Sequence, residues 1–329
     1  MNDYRRELKV ARQTVLEAGE LCRLVQATLV GGLQKEDRSP VTVADFASQA
    51  VAAARLQVAF PQDPLVAEER SRALRQPEAA ETFNQVIEYV RRVHAGATAE
   101  QIAGWIDLGA GKPGQRFWSL DPIDGTAGFL RGDQWVVALA LVEAGQVVLG
   151  ALACPGLDAQ FRPAAHRGGC LLLAVRGQGA WLEADGAERP LRVSDRVAPE
   201  QARVMGSFEP SHTDPGKMDK LLARLGTEEP LVRMDSQAKF AMLAGGQAEL
   251  IFRLLSPARP DYREKIWDQA AGAIIVEEAG GQVSDLTGAP LDFSAGASLD
   301  RNLGVVVSNG RLHAAALAAV QAEAANQAP

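Results

Sequence analysis

The chain has 329 residues, 47% of them hydrophobic, enough to build the cores of two domains of a globular protein. Its formal net charge of −7, with Lys and Arg spread along its length, argues against a nucleic-acid backbone or an anionic membrane surface as the main partner, so an anionic ligand would need a local site. No apolar run is long enough to span a bilayer, and the amphipathic, partly acidic residues 1–30 fit neither a secretory signal nor a transit peptide.

In chain order, Leu8, Ala11, Val15, Ala18, Cys22, Val25 and Leu29 recur at three- and four-residue steps and form one stripe of a long helix, ended by Gly31-Gly32. Pro40-Val41-Thr42-Val43-Ala44-Asp45 leads into a second helix, with Ala47, Ala50, Val51, Ala54 and Val58 inward and Pro61 as its stop. Asp45 is placed in the first turn, where free amides and the helix dipole favour a carboxylate; alone it reads as a cap. Leu65-Val66-Ala67-Glu68-Glu69 reads as a short strand ending in paired acids, and strand alternation allows only one of Glu68 and Glu69 into a common site, leaving the other solvated. Helices are expected over Glu78–His94 and Thr98–Leu108.

The segment Phe117-Trp118-Ser119-Leu120-Asp121-Pro122-Ile123-Asp124-Gly125-Thr126 begins as an apolar strand, and Pro122 and Gly125 then force an abrupt turn. Two carboxylates, a carbonyl and a hydroxyl are bunched at the strand end, the oxygen donors Mg²⁺ takes alongside phosphate and water. The same residues would serve equally as an Asp-rich turn that caps nearby amides. Val136–Val142, Val147–Ala153, Cys170–Val175 and Gly179–Leu182 are short β-rich runs joined by hairpin turns at Glu143–Gln146 and Arg176–Gly179. With two helices to cover one face, residues 1–190 read as an α+β domain, helices on an antiparallel sheet.

Residues 191–329 alternate helix and strand, as in an α/β domain. Helices are expected over Lys217–Leu225, Ser236–Leu243, from Trp267 to Gly280-Gly281, and from Arg311; strands are expected over Glu249–Leu254, Gln282–Ser284 and Gly304–Val307. Asp268, in the first turn of the helix from Trp267, reads alone as an N-cap. The three cysteines, Cys22, Cys154 and Cys170, show no metal-ligand spacing and read as reduced core residues of a cytoplasmic protein.

Taken together, Asp121-Pro-Ile-Asp124-Gly-Thr126, the upstream acidic pair and Trp267-Asp268 leading a helix that ends Glu-Ala-Gly-Gly resemble the inositol monophosphatase superfamily of metal-dependent, lithium-sensitive phosphatases. Ser39-Pro-Val-Thr-Val-Ala-Asp45, Gly128-Phe-Leu-Arg131-Gly-Asp-Gln134, Asp235-Ser236-Gln-Ala-Lys239 and Arg263-Glu-Lys265-Ile-Trp-Asp268 are similar to its 3′(2′),5′-bisphosphate nucleotidase branch, and the similarity runs from the first helix to the last strand. The resemblance implies a layered αβαβα fold and two or three Mg²⁺ ions. Glu68, Asp121 and the Ile123 carbonyl would hold one ion and Asp121, Asp124 and Asp268 a second, with a looser one between Glu68 and Asp45. Thr126, hydrogen-bonded to Asp45, would orient the attacking water, and Asp124, Gly125, Thr126 and Asp268 would surround the phosphate that is cleaved. His212, Ser236, Lys239 and Arg253 would hold the other phosphate and the ribose or base; read singly, they are a surface His, a helix cap and two solvated cations.

Ala67, Arg70 and Ala127 depart from the family pattern without removing a ligand, and the loop around Ser256–Asp261 is slightly long. The implied activity is Mg²⁺-dependent removal of the 3′-phosphate of adenosine 3′,5′-bisphosphate to give AMP, extending to the sulfated nucleotide PAPS, by a cytoplasmic monomer with a small-molecule substrate and no nucleic-acid or membrane partner. The rivals are an inositol phosphate phosphatase on the same metal site and a catalytically silent nucleotide-binding regulator.

Overall fold

The computed structural model describes residues 3–30, 39–164, 169–208, 215–256 and 259–325. Helix α1 (Arg5–Val30) runs beside α2 (Ser39–Ala59), and the stripe from Ala11 through Val15, Ala18 and Cys22 to Val25 is buried between them and the sheet. The many alanines of α2 let the two helices approach closely. Two expectations fail here. Asp45 lies six residues into α2 rather than in its first turn, because Pro40 stands at the helix start, where a missing N–H costs nothing, and the β-branched residues after it are helical. Val58 is 85% exposed: the buried face has drifted on to Leu56 and Phe60 by the last turn.

β1 (Leu65–Ala67) is followed by α3 (Ala80–Val93) and α4 (Ala99–Asp107). A capping box fixes the start of α4: Thr98 Oγ1 accepts from the Gln101 amide at 3.2 Å and Gln101 Oε1 from the Thr98 amide at 2.9 Å. Then come β2 (Arg116–Asp124), α5 (Thr126–Arg131), β3 (Val136–Glu143), β4 (Gln146–Cys154), β5 (Cys170–Val175), β6 (Gly179–Ala184) and β7 (Ala187–Pro190). These strands form one sheet in sequence order, antiparallel from β2 onward as hairpin turns require. Only the β1–β2 pair is parallel, the crossover between them carrying α3 and α4.

The second sheet begins after Pro190. β8 (Val204–Gly206), α6 (Pro215–Leu225), β9 (Val232–Arg233), α7 (Ala238–Ala244), β10 (Leu250–Arg253), α8 (Ala270–Glu278), β11 (Gln282–Ser284), β12 (Val305–Ser308) and α9 (His313–Ala325) give the strand order β11-β12-β10-β8-β9. Side-chain alternation on β10 links two cores: Ile251 joins Leu152, Leu172, Ile274 and Ile275 between the sheets, whereas Leu250 and Phe252 join Leu221, Leu312 and Ala316 on the far side. The layers therefore run α1/α2, first sheet, α7/α8, second sheet, α6/α9, the layered αβαβα arrangement. At the centre, α8 lies so close to β4 that a Cβ on Gly150 would stand 2.8 Å from the Ala271 carbonyl oxygen. Seating α8 against the first sheet brings the residues before it up to the end of β2. Among the described residues no helix is long and apolar enough to cross a membrane.

Candidate active site

At the end of β2 the ladder to β3 slips between Asp121 and Asp124. Pro122 has no amide to offer β3, and the Ile123 amide donates instead to Asp121 Oδ1 at 3.1 Å. The Pro122 carbonyl accepts from Ser48 Oγ of α2 at 2.9 Å. Gly125 then takes φ 94°, and a side chain there would also meet Ser236 Cβ at 2.8 Å, so this turn requires glycine on both counts. Asp121, Ile123, Asp124, Gly125 and Thr126 consequently line one wall of a cleft of about 740 Å³, and Glu68 stands exposed beside them.

The opposite wall comes from the second half of the chain. Ser236 has φ 65°, a left-handed conformation that cannot begin a helix, so α7 starts at Ala238, two residues later than the sequence pattern suggests. Ser236 Oγ accepts from the Ala238 amide at 3.1 Å, and the Gln237 amide donates to Asp124 Oδ2 at 2.6 Å, tying the two walls together. Asp268 lies two residues before α8 and lines the cleft with Arg253 and Lys239.

The electrostatics show that the acids converge. Burial pushes the Asp121 carboxyl well above the usual carboxylate range, and the charges of Glu68, Asp124, Asp268 and Asp45 push it further. Asp268 is raised by burial and then by Asp124 and Glu264. Although much of the Glu68 residue is exposed, desolvation of its carboxyl beside the cleft and then the Asp124 charge raise it, with Lys265 opposing. Asp124 is raised by burial, against Lys239, Gln237 and Arg253. Asp45 is raised by burial, Glu69 and Glu68, and its buried Oδ1 has no hydrogen-bond partner. The Asp45–Thr126 bond implied by the family resemblance is therefore not made at that oxygen; Thr126 is exposed at the start of α5. Among the described residues no three acidic, His or Cys side chains close up tightly enough to hold an ion unaided. An all-oxygen set of mutually repelling carboxylates and an unpartnered acceptor fits Mg²⁺, which leans on one or two carboxylates and keeps several waters.

The acidic pair departs from the strand argument. β1 ends at Ala67, so alternation does not govern Glu68 and Glu69. Glu69 is half-buried: Gln49 clamps its main chain, with Nε2 donating to the Glu69 carbonyl at 2.8 Å and Oε1 accepting from its amide at 2.9 Å, and its charge is the one felt most strongly at Asp45. Burial, then Glu68, raise the Glu69 carboxyl to about 7, with Arg70 partly offsetting them.

A stability effect follows. Between its ordinary value of 4.5 and about 7, folded Glu69 holds a proton that the unfolded chain has released, so each step up in pH through that window destabilises the fold. Asp45, Asp121 and Asp268, all raised, act with the same sign. In EDTA the thermal midpoint is expected to fall from pH 5 to pH 7.5, and Mg²⁺ should restore more of it at the higher pH; a midpoint that rises with pH in EDTA contradicts this.

The two cations are not solvated. Lys239 is buried, and its Nζ donates to the carbonyls of Met234 at 3.0 Å and Ser236 at 2.8 Å, holding the loop that carries Ser236. Burial, then the Arg253 charge, bring its ammonium down to about 8. Arg253 forks onto Glu264, Nη2 to Oε2 at 2.8 Å and Nε to Oε1 at 3.3 Å, with both side chains nearly buried. His212 lies outside the described residues. The sequence reading missed three participants: Asp235, a wall residue that pairs with Arg131; Tyr262, a further wall residue; and Gln237, whose side-chain hydrogen bonds are both tertiary.

Comparison with known proteins identifies the family and the fold. The sequence profile of the inositol monophosphatase family matches residues 3–325. The 3′(2′),5′-bisphosphate nucleotidase 1 of Candida albicans is 38% identical over an alignment 340 positions long, gaps included, that covers 93% of this chain and 92% of that protein. The 3′(2′),5′-bisphosphate nucleotidase of Oryza sativa is 40% identical over an alignment 342 positions long, gaps included, covering 97% of this chain and 95% of that protein. Mycobacterium tuberculosis SuhB superposes with a TM-score of 0.65 at 24% identity, over 98% of both chains, and shares the fold. The chain belongs to the inositol monophosphatase family.

Proposed function

We propose that this protein is a Mg²⁺-dependent phosphatase that removes the 3′-phosphate of adenosine 3′,5′-bisphosphate, giving AMP, and that also accepts PAPS. One observation carries the reading: mutually repelling carboxylates, from the buried Asp121 through the half-buried Asp124 and Asp268 to the exposed Glu68, face the buried Lys239 and the largely buried Arg253 within one cleft. Glu68, Asp121, the Ile123 carbonyl, Asp124 and Asp268 would hold the metal, with Asp45 beside them. Divalent ions bound there would offset the charge developing on the transferred phosphoryl group and lower the pKa of water. Arg253 and Lys239 would supply the charge for the second phosphate on a protein of net charge −7, and the exposed Thr126 hydroxyl at the start of α5 would orient the reacting water.

A phosphate-release screen over adenosine 3′,5′-bisphosphate, AMP and inositol 1-phosphate, each with Mg²⁺ and with EDTA, tests the proposal. Turnover of the bisphosphate in Mg²⁺ alone is expected; a preference for inositol 1-phosphate would move the activity to the inositol phosphates, and release in EDTA would remove the metal. The acidic pair supplies a finer test. Glu68 lines the cleft and Glu69 does not, so the loss in kcat/KM from Glu68→Gln should exceed that from Glu69→Gln by about tenfold or more. The reverse ranking in steady-state assays would put Glu69 in the site.

A further inference from the structure

We infer that Gln237 is a positioning residue that sets the gap between Asp124 and Asp268 and, through it, the affinity of the acid cluster for a divalent cation. Its main-chain amide donates to Asp124 Oδ2 at 2.6 Å. Its side chain uses both ends: Nε2 donates to the Trp267 carbonyl at 2.9 Å, the residue before Asp268, and Oε1 accepts from the Gly272 amide at 2.9 Å, in the first turn of α8. One residue, 1% exposed, thus grips the acid at the end of β2, the peptide joining Trp267 to Asp268 and the helix that follows. Asp124 ends β2 and Asp268 lies in the turn before α8, so the two acids come from segments far apart in the chain and no local pattern sets their separation.

The chemistry selects glutamine at this position. Asparagine is too short to reach both Trp267 and Gly272, and methionine fills the volume but bonds neither. Without the amide, the Trp267 carbonyl and the Gly272 amide lose their partner, and the main chain at Asp268 is free to shift. The space between α8 and α7 is already closed, since a Cβ on Gly272 would stand 2.6 Å from Phe240 Cγ. A displacement at this point would therefore be taken up toward the cleft rather than toward α7.

This inference rests on the reading of the cleft as a divalent-metal site, and its test separates the two. The EDTA-treated full chain is titrated with Mg²⁺ while the thermal midpoint is followed, for wild type, Gln237→Met, Gln237→Asn and Asn309→Leu. Asn309 is the control: it is equally buried and makes comparable bonds, to the Ser194 and Arg196 carbonyls and from the Leu312 amide, but it sits at the opposite end of β10 from Arg253. Gln237→Met is expected to need about tenfold more Mg²⁺ for half of the stabilisation, Gln237→Asn an intermediate amount, and Asn309→Leu a wild-type amount despite a lower midpoint. At saturating Mg²⁺, Gln237→Met should lose kcat with little change in KM.

A folded Gln237→Met protein with a wild-type Mg²⁺ titration overturns the inference, and so does Asn309→Leu weakening Mg²⁺ as much. If Gln237→Met does not fold, Gln237→Asn decides on the same terms, with wild-type Mg²⁺ binding overturning the assignment. A wild-type protein that Mg²⁺ does not stabilise defeats the metal-site reading and this inference with it, whereas a wild type that binds beside an indifferent variant defeats only the role of Gln237.

Discussion

Asp121→Asn should abolish turnover while leaving the metal-free protein at least as stable as the wild type. Asp121 is 2% exposed and carries the repulsion of Glu68, Asp124, Asp268 and Asp45. Asparagine keeps the oxygen that accepts from the Ile123 amide, so the turn after β2 survives, and it removes the charge at the centre of the cluster. That charge contributes several kcal/mol to the reacting complex once metal is bound, so kcat/KM should fall by roughly a thousandfold or more. In EDTA the same change relieves repulsion and should raise the thermal midpoint at pH 7.5. Opposite signs in the two assays are hard to produce by damage to the fold. Substantial activity at saturating Mg²⁺, or a lower midpoint in EDTA, would count against the cluster as drawn.

Removing the Arg253 charge should cost about ten- to a hundredfold in kcat/KM on adenosine 3′,5′-bisphosphate, the worth of a charge-assisted contact of roughly 1.5–3 kcal/mol. Inositol 1-phosphate has no second phosphate to place there and should be nearly unaffected. Because Arg253 pairs with Glu264, which is 5% exposed, Arg253→Ala alone would strand a buried carboxylate at a cost of about 3–5 kcal/mol in stability. Arg253→Met combined with Glu264→Gln removes both charges, and the amide oxygen introduced by Glu264→Gln would still accept from Gln269 Nε2, as the Glu264 carboxylate does at 3.0 Å. Lys239→Ala is the less selective probe, since its Nζ holds two carbonyls beside Gln237 and its loss should disturb the metal site as well. Equal losses on both substrates for the Arg253 pair of changes would mean that Arg253 supports the fold and not the second phosphate.

The periodic elements were legible because their signals are local. The α1 stripe and the hairpins β3–β4 and β5–β6 follow from spacing and turn residues alone, and the turn after β2 from Pro122 and Gly125. The start of α2 was misread because Pro40 and the β-branched Val41-Thr42-Val43 imitate an extended lead-in, so Asp45 was placed one turn too early. β8 and β9, of three and two residues, are too short to carry an alternating pattern and exist only through pairing with distant strands. The acids of the site were readable from their motifs. Their environment was not: no local pattern shows that Glu69 is clamped by Gln49, that the Lys239 ammonium is engaged by two carbonyls, or that Gln237 spans three segments.

The central claim, a metal-dependent phosphatase specific for a doubly phosphorylated nucleotide, is tested most directly by kcat/KM for adenosine 3′,5′-bisphosphate and inositol 1-phosphate, measured with Mg²⁺ and with EDTA on the wild type and on the Arg253→Met, Glu264→Gln protein. The expected result is a wild type that strongly prefers the bisphosphate, is silent in EDTA, and loses that preference in the double variant while its slow inositol 1-phosphate hydrolysis persists. A wild type that hydrolyses inositol 1-phosphate as well as the bisphosphate, with a double variant that leaves the ratio unchanged, would contradict it.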